Sequence, residues 1–281
     1  MRGRLLTIAM GVLVGGPAGF APVAGLAQEA PATQAERERI FYNIANYMGM
    51  LRSDYFEGIH EVDAIATAEY WGTGTIDVGG ESCRLTDYRA SINYQTPGMR
   101  VNFTCTLPDG RSHHEIQVVS GRFAWNEIGE PGAGLVPGQG TADPAMDAVN
   151  ERLARLWSGP QGWVKAARMG GDATQMRVEG GRLRLTYPVP MVPGGTSTAT
   201  LTSNFQAERL QTRVGDTVME WSYGAYGDHN EAGNKLDAFF PGRIVETLGG
   251  RTTLDLTLVN TDLSNIYVVM PVPESVQQAA P

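Results

Sequence analysis

Short strand-like runs separated by turn residues recur along most of this sequence, and they constrain its fold more than any other feature. Gly79-Gly80, Pro108-Asp109-Gly110 and Ser120-Gly121 each supply residues that preset a tight turn or tolerate positive φ. This spacing is typical of antiparallel strands that follow one another along the chain. The predicted strands lie at residues 65–78, 82–94, 98–107, 112–119, 122–127, 174–179, 182–187, 198–206, 208–215, 217–226, 241–247, 252–259 and 266–270.

The run at 98–107 shows how the predicted sheet is oriented. Apolar residues occupy its alternate positions, and polar residues occupy the positions between them. Because successive side chains of a strand point to opposite faces, one face of this strand is apolar and the other meets water. The apolar positions are Met99, Val101, Phe103, Cys105 and Leu107.

Two segments have helical rather than strand periodicity. An amphipathic helix is predicted from Glu36, with apolar residues at Ile40, Phe41, Ile44, Tyr47, Met48 and Leu51. A helical insertion is predicted at 143–168, where Asp143-Pro144 resembles an N-cap followed by proline. Its apolar stripe can be a fixed cover of the sheet or a movable lid over a cavity, and the sequence does not separate these alternatives. The stripe comprises Met146, Val149, Leu153, Leu156 and Trp157, and a second short helix follows at 161–168.

The first residues have the pattern of a secretory signal peptide. Arg2 and Arg4 precede an apolar run, and small residues end at Ala27, where cleavage is expected. Removing residues 1–27 takes away two arginines and no acid, which moves the formal net charge from -8 to -10. An acidic chain of this kind disfavours nucleic acid as a partner, and no later segment is apolar enough for stable membrane insertion. The sequence therefore predicts a protein exported to the periplasm, and possible secretion beyond it stays open.

Cys83 and Cys105 are the two cysteines of the chain, and both fall in neighbouring predicted strands. An even number of cysteines in an exported protein favours a disulfide. Two thiolates without a nearby Cys or His partner do not complete a tetrahedral metal site, and no C-x-x-C pair is present for redox chemistry.

Catalytic and metal-binding patterns are weak in this sequence. His113 and His114 are adjacent in a predicted strand and point to opposite faces, and His60 and His229 stand apart from them. No G-x-S-x-G turn, dinucleotide fingerprint or P-loop occurs, so no catalytic residue, metal or cofactor is predicted. A polysaccharide hydrolase that uses Glu127 and Glu130 remains an alternative, with a sugar cleft lined by Trp71, Trp125, Trp163 and Trp221.

Three segments resemble the periplasmic lipoprotein-carrier family of the LolA/LolB type. They are a strand start that contains proline (94–101), a hairpin in which Gly121 is followed by Phe123 and Trp125 (116–125), and a late Phe-Pro-x-x-Ile strand (240–246) with its neighbour at 254–258. The resemblance spans residues 58–272 and implies an α+β, β-rich fold, in which a curved antiparallel sheet, an incomplete β barrel, is covered by helices. In the family, the cavity of such a sheet holds the acyl chains of a lipoprotein.

The resulting expectation is a signal peptide at 1–27, a flexible leader and helix at 28–57, one curved-sheet domain at 58–272 and a loose tail at 273–281. We expect a non-enzymatic carrier of an apolar ligand or a lipidated protein, and the alternatives are the hydrolase and a structural module of an envelope complex. The sequence does not predict the oligomeric state. The residues expected to line the ligand cavity are Met99, Val101, Phe103, Trp125, Met146, Val149, Leu153 and Trp157.

Overall fold

The strands of this protein form one long antiparallel sheet. A computed structural model describes residues 32–54, 58–61, 65–128, 141–229, 238–263 and 265–279; the predicted signal peptide, the leader up to residue 31 and the Gly/Pro-rich stretch at 129–140 lie outside these ranges. Within them, 13 strands pair in the order β8-β7-β6-β5-β4-β3-β15-β14-β13-β12-β11-β10-β9, and β1 pairs with β2 separately.

The strand bounds follow the predicted turns closely. The first half contains β1 (Arg52–Asp54), β2 (Gly58–Glu61), β3 (Thr67–Val78), β4 (Glu81–Asn93), β5 (Gly98–Thr106), β6 (Ser112–Ser120), β7 (Phe123–Ile128) and β8 (Thr141–Pro144). The second half contains β9 (Gln175–Glu179), β10 (Arg182–Pro188), β11 (Thr196–Leu201), β12 (Ala207–Val214), β13 (Thr217–Asp228), β14 (Phe239–Leu248) and β15 (Arg251–Asp262).

The two halves meet where β3 pairs with β15. At this seam Gly74 has a φ of +143°, and a Cβ placed there would lie 1.9 Å from the carbonyl oxygen of Asp255. Only glycine accepts both the conformation and the close backbone approach. The end strands β8 and β9 do not pair with each other, so the sheet is not closed into a barrel.

The helices follow the predicted apolar stripes but begin at different residues. Helix α1 spans Gln34–Tyr47 with a capping box between Thr33 and Glu36, α2 spans Val149–Ser158, α3 spans Gly162–Met169, and a short α4 spans Glu274–Gln278. The predicted helix start at Asp143-Pro144 was wrong, because both residues belong to the edge strand β8, which pairs with β7.

Helix α2 shows that the sheet curves. Arg152 donates to the carbonyl oxygens of Val118 in β6 and Trp125 in β7, whereas Ser158 bonds Thr212 in β12. β7 and β12 are separated by eight strand positions, about 38 Å in a flat sheet. Six residues of helix span only about 9 Å. The sheet must therefore bend around α2, as the family resemblance implies.

Apolar residues pack on both faces of the first half of the sheet. Val119 and Ala124 belong to the large cluster beneath α1, α2 and α3, here called the inner cluster. Their neighbours Val118 and Trp125 point the other way and belong to a second cluster, here called the outer cluster. The members of the outer cluster are Ile116, Val118, Trp125, Val268, Met270 and Val276, with Phe123, Ala142, Met146 and Val272 packed against them.

The C-terminal segment covers the outer cluster. The predicted strand at 266–270 was wrong, because these residues pair with none of the described strands. Their side chains nevertheless alternate between buried Val268 and Met270 and exposed Tyr267 and Val269. Side chains hold the segment instead, and Asn93 donates to the carbonyl oxygen of Val268 at 2.8 Å. The tail expected to be loose from residue 273 contains α4, whose Val276 is fully buried.

The predicted disulfide is confirmed. The Cα atoms of Cys83 and Cys105 lie 5.5 Å apart and their sulfurs are bonded. Cys105 stands opposite Leu85 in the ladder between β4 and β5, so the bridge crosses two paired strands on their inner face. Within the described residues, no helix is long and apolar enough to cross a membrane.

Candidate binding site

The predicted ligand-lining residues do not form one group. Met99, Phe103, Leu153 and Trp157 lie in the inner cluster and are at most 6% exposed, and Val101 and Val149 pack partly buried against the same cluster. The structure places the remaining two, Trp125 and Met146, in the outer cluster on the other side of the sheet. The candidate binding site is therefore the inner face beneath α2 and α3.

Arg155 joins α2 to the middle of the sheet. Its Nε and Nη2 atoms each lie 3.0 Å from Oε1 of Glu246 in β14, and its Nη1 lies 2.7 Å from Oε1 of Glu151. Thr253 donates a further hydrogen bond of 2.9 Å to Glu246. Burial by itself lowers the pKa of Arg155, but the two carboxylates outweigh it and hold the pKa above its usual range. This pair is a charged contact within a largely apolar interface.

Arg152 binds strands β6 and β7, near one end of the sheet. It is 6% exposed, donates to two backbone carbonyls, and donates at 2.6 Å to the side-chain oxygen of Asn126. Burial lowers its pKa, mainly because the guanidinium is removed from water. An arginine can serve several acceptors at once because its guanidinium carries five N–H groups.

Hydroxyl groups form the third contact of α2 with the sheet. Ser158 Oγ lies 3.0 Å from Thr212 Oγ1, which lies 2.8 Å from Ser197 Oγ. The hydroxyl of Tyr223 donates to the backbone oxygen of Ser158 at the end of the helix. Because Ser158, Ser197 and Thr212 are at most 2% exposed, the network is shielded from water.

A tight connection places α3 beside α2. A Cβ at Gly162 would lie 2.3 Å from the carbonyl oxygen of Leu156. Only glycine therefore allows the first residue of α3 to pack this closely against the end of α2. In α3, the Nζ atom of Lys165 stands 5.1 Å from the ring centroid of Tyr94 in the neighbouring turn. These contacts attach the second helix to the sheet at the start of β5.

Two indole groups beneath the helices are left without a hydrogen bond. The Nε1 atoms of Trp157 in α2 and Trp163 in α3 are buried and have no acceptor among the described residues. Both side chains are at most 1% exposed. An unsatisfied buried donor costs about 1 to 3 kcal/mol. The indole of Trp125 in the outer cluster is unpaired in the same way.

The residues proposed for glycoside hydrolysis are used differently. Glu127 is 8% exposed, and its Oε2 atom accepts hydrogen bonds of 2.9 and 2.8 Å from Arg100 on the outer face. Glu130 lies outside the described residues. Trp125, Trp163 and Trp221 are at most 4% exposed and are therefore buried among the described residues, while Trp71 stacks beneath the guanidinium of Arg89.

The histidines are dispersed in the described part of the chain. His113 lies beside Phe103 and Glu115, whereas its neighbour His114 bonds Thr104, and the two side chains lie on opposite faces of β6 as predicted. No three His, Cys, Asp or Glu side chains converge as metal ligands among the residues that the structure describes.

The contacts that join α2 to the sheet were not identified from the sequence. A signal for one of them was present, because Glu246 alternates with Ile244 and Leu248 and therefore falls on the apolar face of its strand. An ionisable residue at a core position indicates a charged partner across the interface. No comparable signal marks Ser158 or Thr212, because small hydroxyl residues are common on either face of a strand or helix.

This architecture defines an open antiparallel sheet with helices docked on its inner face. Two solved structures are distantly similar to this chain. One is an outer-membrane lipoprotein-sorting protein domain from Vibrio parahaemolyticus, with 7% identity, a TM-score of 0.39, and coverage of 71% of this chain and 86% of that one. The other is a LolA superfamily protein from Nitrosomonas europaea, with 10% identity, a TM-score of 0.35, and coverage of 78% and 90%.

No family model and no curated protein matches the sequence. Because the two TM-scores are below 0.5, the function has to be inferred from the side chains of this chain.

Proposed function

We propose that this protein is a periplasmic carrier that holds an apolar, acyl-type ligand between the inner face of its sheet and the helix pair α2–α3. The apolar interface suits a hydrocarbon chain because its contacts are non-directional. A ligand can therefore replace the packing of Leu153 and Trp157 against the sheet once the helices separate from it. Met99 and Phe103 supply apolar surface on the sheet side of the site.

The unpaired indole N–H groups of Trp157 and Trp163 are the observation that carries this proposal. They present two donors in an apolar interior. The ester or carboxyl oxygens of an acyl ligand are acceptors of the matching kind, and binding would remove the cost of leaving these donors unsatisfied.

The polar contacts of α2 would then set the closed position of the helix pair. Arg152, Arg155 and Ser158 bind three separate parts of the curved sheet. Hydrogen bonds of this kind have a defined geometry, whereas apolar packing does not. The helices can thus leave the sheet and return to the same register.

Acyl binding can be measured directly on the mature protein. We expect a fluorescent fatty acid to bind in a saturable manner, and native mass spectrometry to show one bound acyl species after exposure to lipid. Trp157→Phe keeps an aromatic side chain but replaces the indole with a smaller ring that has no N–H group. It should weaken binding of the carboxyl-bearing probe about tenfold, as expected for loss of a hydrogen bond to a charged group.

Trp125→Phe is the matched control, because the indole of Trp125 is also buried and unpaired but lies in the outer cluster. It should leave the affinity unchanged. An absence of acyl binding, or an equal loss in the two variants, would contradict the proposal.

Export of the chain is part of the same proposal. Cleavage after Ala27 would leave Gln28 as the first residue of the mature protein. N-terminal sequencing of protein recovered from the periplasmic fraction tests this directly, and recovery of an intact Met1 terminus in the cytoplasmic fraction would contradict it.

A structural module of an envelope complex is the second candidate, and the dense packing of the inner cluster favours it. Phe103, Leu156 and Trp157 are at most 1% exposed, so the interior is filled by the protein's own side chains. A protein with this role should co-purify with a stable partner from the periplasm and should bind no acyl probe.

A further inference from the structure

Three arginines lie in a row on the outer face of the second half of the sheet. In the strand register Arg177 stands opposite Arg184, Arg184 opposite Thr200, and Thr200 opposite Arg209. Adjacent strands are about 4.8 Å apart. Arg177 and Arg184 therefore extend from neighbouring positions, and Arg209 extends from a position about 10 Å beyond Arg184. Residues in line across a sheet project from the same face, so the three positive groups share one surface.

A row of polar groups lies beside the arginines. Gln175, Thr186, Thr198 and Gln211 are aligned by the same register. The hydroxyls of Thr186 and Thr198 lie 3.0 Å apart and are half-buried. Together the two rows line an open concavity of about 320 Å³ whose lining is mainly polar. Its residues are Gln175, Arg177, Glu179, Arg184, Thr186, Thr198, Thr200, Arg209 and Gln211.

Carboxylates neutralise this cluster only in part. Glu179 pairs with Arg184, and Oε1 of Glu220 lies 2.6 Å from Arg209 and 2.7 Å from the amide of Gln211. Arg177 instead donates to the neutral side-chain oxygen of Gln175 at 3.2 Å. Two like charges directly opposite each other on paired strands are destabilising. Glu179 offsets the charge of Arg184, so the positive charge of Arg177 opposite it is the one that a bound anion would compensate.

We propose that this concavity is a binding site for a phosphate group, with Arg177 and Arg184 as its charged ligands. The hydrogen-bonded pair of Thr186 and Thr198 hydroxyls supplies one neutral donor, because one of its two O–H groups is used within the pair. The guanidinium fork matches two phosphate oxygens at once. The cluster is local, because the chain as a whole has a formal net charge of -8. The site lies on the opposite face of the sheet from the proposed acyl site, so either proposal can fail without the other.

The phosphate can belong to a free anion or to the headgroup of a phospholipid, and two binding measurements distinguish these sources. Calorimetry with inorganic phosphate tests the free anion. Co-sedimentation with phosphatidylglycerol vesicles, with and without competing phosphate, tests the headgroup. We expect binding in at least one measurement, and we expect it to weaken as salt increases. Absence of binding in both would overturn the proposal.

The double variant Arg177→Gln/Arg184→Gln should weaken the observed binding at least tenfold. Arg243→Gln is the matched control, because Arg243 is also an exposed strand arginine but pairs with Asp255 at 3.0 and 2.9 Å outside the concavity. It should change the affinity less than twofold. An equal loss in the two proteins would show a non-specific charge effect and overturn the site.

A labelling experiment on the unaltered protein provides a test that does not depend on variants. Phenylglyoxal modifies accessible arginines, and mass spectrometry locates the modified residues. Saturating phosphate, or phosphatidylglycerol vesicles if only these bind, should protect Arg177 and Arg184 at least fivefold and leave Arg243 unprotected. Unchanged labelling of Arg177 and Arg184 in the bound state would overturn the assignment.

Discussion

Glu246 accepts two hydrogen bonds of 3.0 Å from Arg155, and this pair links a strand in the middle of the sheet to the helix that spans its curve. The Glu246 side chain is 6% exposed and that of Arg155 is 24% exposed. When one partner of a charge pair in an apolar interface is removed, the remaining charge is left without compensation and destabilises the fold. The pair therefore makes the docking of α2 on the sheet sensitive to a single substitution.

Removal of one partner of this pair should be costly. Glu246→Ala leaves the Arg155 guanidinium without its main carboxylate and should lower the free energy of unfolding by about 3 to 5 kcal/mol. Asp255→Ala is the control, because Asp255 pairs with Arg243 at an exposed position and should cost less than about 1 kcal/mol. Urea unfolding gives both values. Similar losses in the two proteins would show that Glu246 has no special role.

The disulfide should contribute substantially to stability. Cys83 and Cys105 are 22 residues apart, and closing a loop of this length stabilises a fold by about 3 kcal/mol in the chain-entropy model. The double variant Cys83→Ala/Cys105→Ala should lose about that amount in urea unfolding without a change in its circular dichroism spectrum. A loss below about 1 kcal/mol would contradict the expected contribution.

The C-terminal segment should behave as part of the core. Met270 is 7% exposed in the outer cluster, so Met270→Ala should destabilise the protein by about 2 to 3 kcal/mol. Its neighbour Val269 is 52% exposed, and Val269→Ala should change stability by less than about 0.5 kcal/mol. If the two substitutions have equal effects in thermal unfolding, the segment does not pack on the sheet as described.

Buried tyrosines should make the protein sensitive to alkali. Burial raises the pKa of Tyr70 to about 12 from its usual 10.0. Between pH 10 and pH 12 the folded state therefore retains a proton that the unfolded state releases. The contribution of neutral Tyr70 to the free energy of unfolding is fully present below pH 10 and is lost as the pH rises towards 12. The loss attributable to Tyr70 is about 2 to 3 kcal/mol over this window.

Tyr70→Phe should reduce this alkaline loss, because phenylalanine fills the site without titrating. The alkaline loss is the difference between the free energies of unfolding measured in urea at pH 9 and at pH 11.5. Tyr267→Phe is the control for the substitution itself, since Tyr267 is 82% exposed. An unchanged alkaline loss in Tyr70→Phe would contradict the assigned burial effect.

The strands were predictable where turn residues and alternation coincide. Glycine pairs such as Gly79-Gly80 and Gly249-Gly250 mark hairpins at which the strand ends differ from the prediction by only a few residues. The disulfide followed from the number of cysteines and their positions in adjacent strands. Turns and strand alternation depend on neighbouring residues, so the sequence contains most of the information needed to predict them.

Features that depend on distant partners were not predictable. Residues 266–270 have the alternation of a strand, but the segment crosses the outer face without a pairing partner. Trp125 was assigned to the ligand cavity because strand periodicity distinguishes two faces but does not reveal which is covered by helices and which by the C-terminal segment. Both errors come from the same missing contact, the packing of that segment on Val118 and Trp125.

The central claim is that α2 and α3 must leave the inner face before an acyl ligand can enter. Ser158 and Thr212 have side-chain oxygens 3.0 Å apart across this interface, so Ser158→Cys/Thr212→Cys allows the helix to be tethered to the sheet. We predict that the oxidised double variant binds a fluorescent fatty acid at least tenfold more slowly or more weakly than each single variant. Mild reduction of the double variant should restore binding. Undiminished binding by the fully tethered protein would contradict the claim.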